Sequence, residues 1–310
     1  MIVPADNEIR LDLSGGPEVI AEVVHFDSDG LRLRGVLVEP KERPGPLPAL
    51  VASHGWSGAV NFRVLPFAAR LAQRGYAVLA IDHRGFGGSE GARLRCDPAE
   101  QVRDVSNAAT YLAGLPEIDP SALGVVGASF GGGIAVAAAA ADERLKACIG
   151  IVALGDGQRW LSGLHGPAGW PELVDRLARD EAARRSGPGE RVDLSVLMPV
   201  APGPAADAEA ALIAETYPEG YPLENAQLAL DFSPERVVAA IAPRALCLIT
   251  PTDDTIIPAE HSVAMYERAG EPKLLRLLPD GGHGGPLGPQ VDSTTETAVA
   301  FFDAHLRAAS

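Results

Sequence analysis

Short aliphatic and β-branched runs alternate along the chain with stretches of helical periodicity. Residues 19–26 and 31–39 flank the turn Ser28-Asp29-Gly30 and predict an opening antiparallel pair. Runs at 48–53, 76–81, 123–127, 147–154, 245–250 and 273–278 predict buried strands. Between and after them, 62–74, 97–115, 130–141, 259–269 and 294–306 carry helical patterns. Asp97-Pro98-Ala99-Glu100 is a helix start, with Asp97 as N-cap, Pro98 at the first helical position and Glu100 placed for a capping box. Strands alternating with helices predict an α/β fold, with a mostly parallel sheet covered on both faces.

The rhythm stops between residues 155 and 232, where Trp160, Trp170, a charged helical piece at 172–185 and a Pro/Gly-rich stretch at 187–204 follow one another. It resumes at Ser233-Pro234-Glu235, which reads as another capped helix start. Structureless loops of that length are uncommon. The expected organisation is an N-terminal extension at 1–18, a first core part at 19–154, a cap or lid insertion at 155–232, and a second core part at 233–310. The extension exceeds a minimal fold and is free to pack on a second copy, as in a homodimer.

Composition narrows the partners. The 310 residues carry a formal net charge of −15, which repels phosphate backbones and anionic lipid. Nucleic acid and membrane are therefore not expected partners, and a small neutral substrate is. The three cysteines, Cys96, Cys148 and Cys247, suggest neither a disulfide framework nor a zinc site, and the last two lie in apolar runs as small core residues. No basic region followed by an apolar run opens the chain, and the longest apolar stretch, 134–141, falls far short of a membrane span. The expectation is a soluble cytoplasmic protein.

The strongest chemical signal is Gly127-Ala128-Ser129-Phe130-Gly131. It follows an apolar strand and enters a helix at once, a turn that lifts a serine hydroxyl above the C-terminal edge of a sheet. The helix N-terminus adds positive potential where an oxyanion would form. A serine needs a base to take its proton. Of the seven histidines, His283 lies between glycine pairs in a loop after the last strand, which ends at that same edge. His261 and His305 lie near helix ends and read as surface residues, and His54 as a brace for its own loop.

The base in turn calls for a carboxylate. Asp253 and Asp254, after the strand at 245–250, and Asp156, after the strand at 147–154, all compete. Backbone N–H groups of Phe130 and Trp56, the latter in Ser53-His54-Gly55-Trp56, are placed for an oxyanion hole. Trp160, Trp170, Met198, Tyr217 and Tyr221 are candidates to line a substrate pocket, or equally to form the insertion's own small core. No histidine–carboxylate cluster has metal-ligand spacing, so neither metal nor cofactor is implied.

With these residues in view, the chain from about residue 19 onward resembles the α/β-hydrolase superfamily. The matching motifs are His54-Gly55, Asp82-x-Arg84-Gly85-x-Gly87, the elbow at Ser129, Asp254 four residues before Pro258, and His283 between glycines. The family places its acid in D-x-x-[VI]-P, which implies Asp254. Phe26-x-Ser28-Asp29-Gly30-Leu31-x-Leu33-x-Gly35 is similar to esterase and dienelactone-hydrolase-like members. In layout and length the chain is also similar to bacterial lactonases that open the macrolactone zearalenone. The resemblance implies a carboxylic ester or lactone hydrolase working through an acyl-enzyme, on a substrate such as a bulky neutral macrolactone. A thioesterase or acyltransferase, a carbon–carbon diketone hydrolase and a non-catalytic ligand receptor on the same fold remain as alternatives.

Overall fold

The computed structural model describes residues 16–43, 45–56, 58, 63–199 and 219–307. Eight strands form one sheet in the order β1-β2-β4-β3-β5-β6-β9-β10. They are β1 (Val19–Ser28), β2 (Leu31–Pro40), β3 (Leu47–Ser53), β4 (Ala77–Ile81), β5 (Ile118–Ala128), β6 (Leu145–Ile151), β9 (Ala245–Pro251) and β10 (Lys273–Leu278). β2 runs antiparallel to both β1 and β4, and every other pairing is parallel. The chain adopts the α/β-hydrolase fold.

Helices α1 (Val64–Ala72), α2 (Pro98–Ala113) and α3 (Phe130–Ala141) follow β3, β4 and β5. After β6 come α4 (Gly157–Arg184), a two-strand ladder of β7 (Arg191–Val192) and β8 (Tyr221–Pro222), the short α5 (Leu194–Leu197) and α6 (Glu224–Leu230). α7 (Glu260–Arg268) follows β9 and α8 (Val291–Leu306) closes the chain. On one sheet face Val51, Val125 and Leu248 pack with Val105, Ala108 and Ile134 of α2 and α3. On the other, Leu50, Val126 and Ile149 pack with Phe67 and Phe302 of α1 and α8.

Local chemistry explains most of these elements. Asp97 caps α2, accepting from the N–H groups of Ala99 and Glu100 at 3.0 and 3.3 Å, with Pro98 inside the first turn. The Glu100 carboxylate turns outward to Arg95 at 2.9 Å, so its box role gives way to an ion pair. Small residues let α3 lie close on the sheet: a Cβ at Gly132 would meet Ala153, and one at Gly133 the carbonyl of Leu154.

Two expectations are corrected. The helix start at Ser233-Pro234 becomes two 3-10 turns, Pro234–Arg236 and Val238–Ile241. The helical piece expected at 172–185 starts much earlier, at Gly157. Asp156 caps it by accepting from the Arg159 N–H at 2.8 Å, and the helix breaks at Gly166 (φ 61°) before Pro167.

Register sets up the functional edge. Ser53 pairs with Gly127, Gly127 with Gly150, Ile151 with Ile249, and Pro251 with Leu278. The loops after β3, β5, β6, β9 and β10 therefore all leave the sheet on one side. No helix among the described residues is long and apolar enough to cross a membrane.

Candidate active site

Ser129 stands between β5 and α3 with φ 61° and ψ −127°, a conformation rare for a residue with a side chain. The surroundings enforce it. The Ser129 N–H donates to the Ile151 carbonyl at 2.9 Å, and the Ser129 carbonyl accepts from Gly132 at 2.9 Å and Leu154 at 3.1 Å. A Cβ at Gly127 would fall on the carbonyl of Gly131, and one at Gly131 on the carbonyl of His54. Both elbow glycines are thus required by close backbone approach.

His283 and Asp254 come to this serine from the loops after β10 and β9. His283 Nε2 lies 2.9 Å from Ser129 Oγ, and His283 Nδ1 lies 2.8 Å from Asp254 Oδ2. With Nδ1 facing a carboxylate, that nitrogen carries the proton and Nε2 accepts from the hydroxyl. Asp254 is buried, and its Oδ1 accepts from the N–H groups of Ile256 and Ile257 at 2.8 and 3.0 Å. Those bonds fix the carboxylate in place. The geometry can move a proton from Ser129 to His283 and hold the resulting imidazolium against Asp254.

The competing acids face elsewhere. Asp253 reaches across to the histidine loop and accepts from the N–H groups of Gly281 and Gly282 at 3.3 and 2.8 Å. Asp156 caps α4 and accepts from the Ser233 hydroxyl at 2.9 Å. Burial pushes the Asp156 carboxyl up, yet the bonds from the Arg159 N–H and Ser233 hold it below its ordinary value.

The loop after β3 lies directly on the elbow. A Cβ at Gly55 would sit 3.4 Å from Ser129 Cβ and 3.7 Å from Oγ. Trp56 follows Gly55, and Phe130 follows Ser129, so their N–H groups belong to the two segments that meet at Ser129. The Trp56 ring is buried and stacks on Phe130, with centroids 5.8 Å apart. Trp160 packs edge-on against Trp56 at 4.9 Å and donates from its indole N–H to the Ile256 carbonyl at 3.0 Å. This candidate pocket residue thereby ties α4 to the Asp254 loop. Burying Phe130 contributes roughly 1.5–3 kcal/mol, so the aromatic group also stabilises the elbow. Tyr221 is buried in β8, Trp170 and Met198 are half-buried against the core, and Tyr217 lies outside the described residues.

Several residues near the site carry no obvious sequence signal. His261, expected on the surface, is buried. Its Nδ1 accepts from the N–H groups of Gly155 and Asp156 at 3.2 and 3.3 Å, and burial together with Arg159 lowers its pKa to about 4. Asp104 sits fully buried on α2 beside Gln101, Val105 and Ala108. Acid and amide residues on the apolar stripe of a helix are the one signal that marks it. Among the described residues, no group of three or more His, Cys, Asp or Glu side chains could hold a metal ion.

The family model for X-Pro dipeptidyl-peptidases of the S15 family matches residues 29–228. The chain belongs to that family. Among curated relatives, thiohydrolase aneE of Aspergillus aculeatus is 29% identical over 304 residues, covering 91% of this chain and 92% of its own. Quorum-quenching protein AidA of Acinetobacter baumannii is 38% identical over 135 residues, 43% of this chain and 44% of its own. The crystal structure of the α/β hydrolase GrgF from Penicillium sp. superposes with a TM-score of 0.76 at 26% identity, covering 93% of this chain and 99% of that one. The chain is an α/β hydrolase, and its relatives include hydrolases and transferases.

Proposed function

We propose that this S15-family chain is a serine hydrolase of carboxylic esters and lactones. The observation that carries the reading is the unbroken line from Asp254 through His283 to the Ser129 hydroxyl, with distances of 2.8 and 2.9 Å, at the head of α3.

Ser129 Oγ attacks the carbonyl carbon while His283 Nε2 takes the hydroxyl proton, and Asp254 stabilises the imidazolium. The carbonyl oxygen becomes an oxyanion, held by the N–H groups of Trp56 and Phe130. Each such donor is worth about 10²–10³ in rate in enzymes where one has been removed. His283 then gives its proton to the leaving oxygen, and an acyl-enzyme remains on Ser129. A water, deprotonated by His283, attacks that acyl group, and the proton returns to Ser129. In a lactone, such as the macrolactone zearalenone, the leaving hydroxyl stays tethered to the acyl group. Residues 155–232 act as the cap in this reading, with Trp160 between the cap and the Asp254 loop.

A second reading is favoured by the thiohydrolase from Aspergillus aculeatus, whose match extends over nine-tenths of both chains. The same atoms would cleave an acyl thioester, with a thiolate in place of the alkoxide as leaving group. Parallel rates on p-nitrophenyl butyrate, butyryl-N-acetylcysteamine and zearalenone separate these readings. Faster kcat/KM on the oxygen esters supports the first, and faster kcat/KM on the thioester supports the second. Turnover of none of them, nor of any other acyl ester, contradicts both.

A further inference from the structure

A second serine–histidine–aspartate line lies buried behind the first. Ser53 ends β3, His83 follows β4, Asp104 stands on α2, and all three are fully buried. The Ser53 hydroxyl lies 2.7 Å from His83 Nε2, and His83 Nδ1 faces Asp104 Oδ2 at 3.6 Å. Arg84 already neutralises Asp104, donating to its Oδ1 from Nε at 2.9 Å and from Nη2 at 2.6 Å. Ser28 donates to the same oxygen at 2.7 Å. Burial pushes the Asp104 carboxyl up, but the adjacent His83 imidazole and the bonds from Arg84 and Ser28 outweigh it and hold the pKa at about 2. Ser53 is inaccessible to substrate, because it pairs within the sheet between Ile81 and Gly127.

This line ends on the loop that abuts Ser129. The main-chain N–H of His83 donates to His54 Nε2 at 3.3 Å. His54 must then carry its own proton on Nδ1, and that N–H donates to the Gly55 carbonyl at 2.7 Å. The Gly55 carbonyl and the Trp56 N–H belong to one planar peptide unit, so fixing the first aims the second. The two imidazoles also meet edge to face, with centroids 4.9 Å apart.

We propose that His83 is a positioning residue for the Trp56 N–H. Its ring is held by the Ser53 hydroxyl and packed beside the Asp104 carboxylate, its main-chain N–H orients His54, and His54 holds the Gly55–Trp56 peptide towards Ser129. The inference rests on the reading of Ser129 as nucleophile and of Trp56 as an oxyanion donor.

The test compares wild type with His83→Ala, His83→Asn, Ser53→Ala and Ser129→Ala. The readouts are kcat and KM on p-nitrophenyl butyrate, or on the best ester found, and inhibition by a boronic acid, which forms a tetrahedral adduct on a reactive serine. A misplacement of about 1 Å costs on the order of 10²-fold in rate. His83→Ala is therefore expected to lower kcat about 10–10²-fold, with KM within about threefold of wild type and boronate affinity falling in step with kcat. His83→Asn keeps a donor towards Asp104 and is expected to recover part of the loss. A folded His83→Ala protein with wild-type kcat overturns the proposal. If His83→Ala does not fold, Ser53→Ala decides, with a several-fold kcat loss at constant KM expected and an unchanged kcat contradicting it. Full activity in Ser129→Ala would remove the underlying reading instead, so the two failures are distinct.

Discussion

Asp253 and Asp254 are neighbours in sequence and grip the same histidine loop at different points. Asp254 takes His283 Nδ1 at 2.8 Å, while Asp253 takes the N–H groups of Gly281 and Gly282, two residues and one residue before it. Asp254 is buried and Asp253 is exposed. One carboxylate orients the ring and the other holds the backbone from which the ring projects.

That division gives different losses on substitution. Asp254→Asn should lower kcat by about 10⁴-fold, because an amide facing Nδ1 favours the wrong tautomer. Asp253→Ala should leave the tautomer intact and cost about tenfold or less, the effect of a loosened loop. Steady-state kinetics on one ester compares them, and equal losses would contradict the assigned roles.

Gly131→Ala should destabilise the fold by at least about 1–3 kcal/mol, the usual cost of overpacking. Its methyl group would fall on the His54 carbonyl, a main-chain atom in the segment that abuts Ser129. Urea unfolding measures the loss. Wild-type stability in the variant would mean that the elbow and the His54 loop do not touch as described.

Two buried histidines make the fold acid-sensitive. Burial and His83 lower the His54 pKa to about 3, and burial and Arg159 lower that of His261 to about 4. Both lie below the unfolded value of about 6.5, so the unfolded chain takes up these protons first as pH falls. Their contribution is complete above about pH 6.5 and is lost as pH falls towards 4 and then 3. Urea unfolding at pH 7 and pH 5 should differ by about 2–4 kcal/mol. A smaller loss is expected in His261→Gln, and equal stability at both pH values would contradict the account.

Asn225 joins α6 to the segment that precedes α2. Its amide accepts from the Cys96 N–H at 2.9 Å and donates to the Leu94 carbonyl at 2.8 Å, and the residue is buried. Asn225→Ala leaves both main-chain groups unpaired, at about 1–3 kcal/mol for each. Hydrogen exchange should quicken around residues 94–96 in the variant. Unchanged protection there would argue that this junction is held by other contacts.

The residues around Ser129 were legible in sequence because local geometry dictates them. A strand-to-helix turn at a sheet edge needs glycine on both sides of the serine, and a loop after the last strand ends at that edge wherever the helices lie. His261 was misread because its partners, Gly155 and Asp156, are distant in sequence and no periodicity reports them. Asp104 is marked only by its place on the apolar stripe of α2, and its meeting with His83 and Ser53 was hidden because the three come from α2, the loop after β4 and the end of β3. The helix expected after Ser233 failed because its capping letters also suit a 3-10 turn. Glu235 there pairs with Arg159 at 2.7 Å and Arg268 at 3.1 Å, which gives that turn partners a propensity argument does not contain.

The central claim is that Ser129 is the reacting group. Incubating the protein with a fluorophosphonate and mapping the adduct by peptide mass spectrometry tests it most directly. The account predicts one adduct per chain, on the peptide containing Ser129, lost in Ser129→Ala and greatly slowed in a folded His283→Ala protein. An adduct on another residue, or equal labelling of the Ser129→Ala protein, would contradict it.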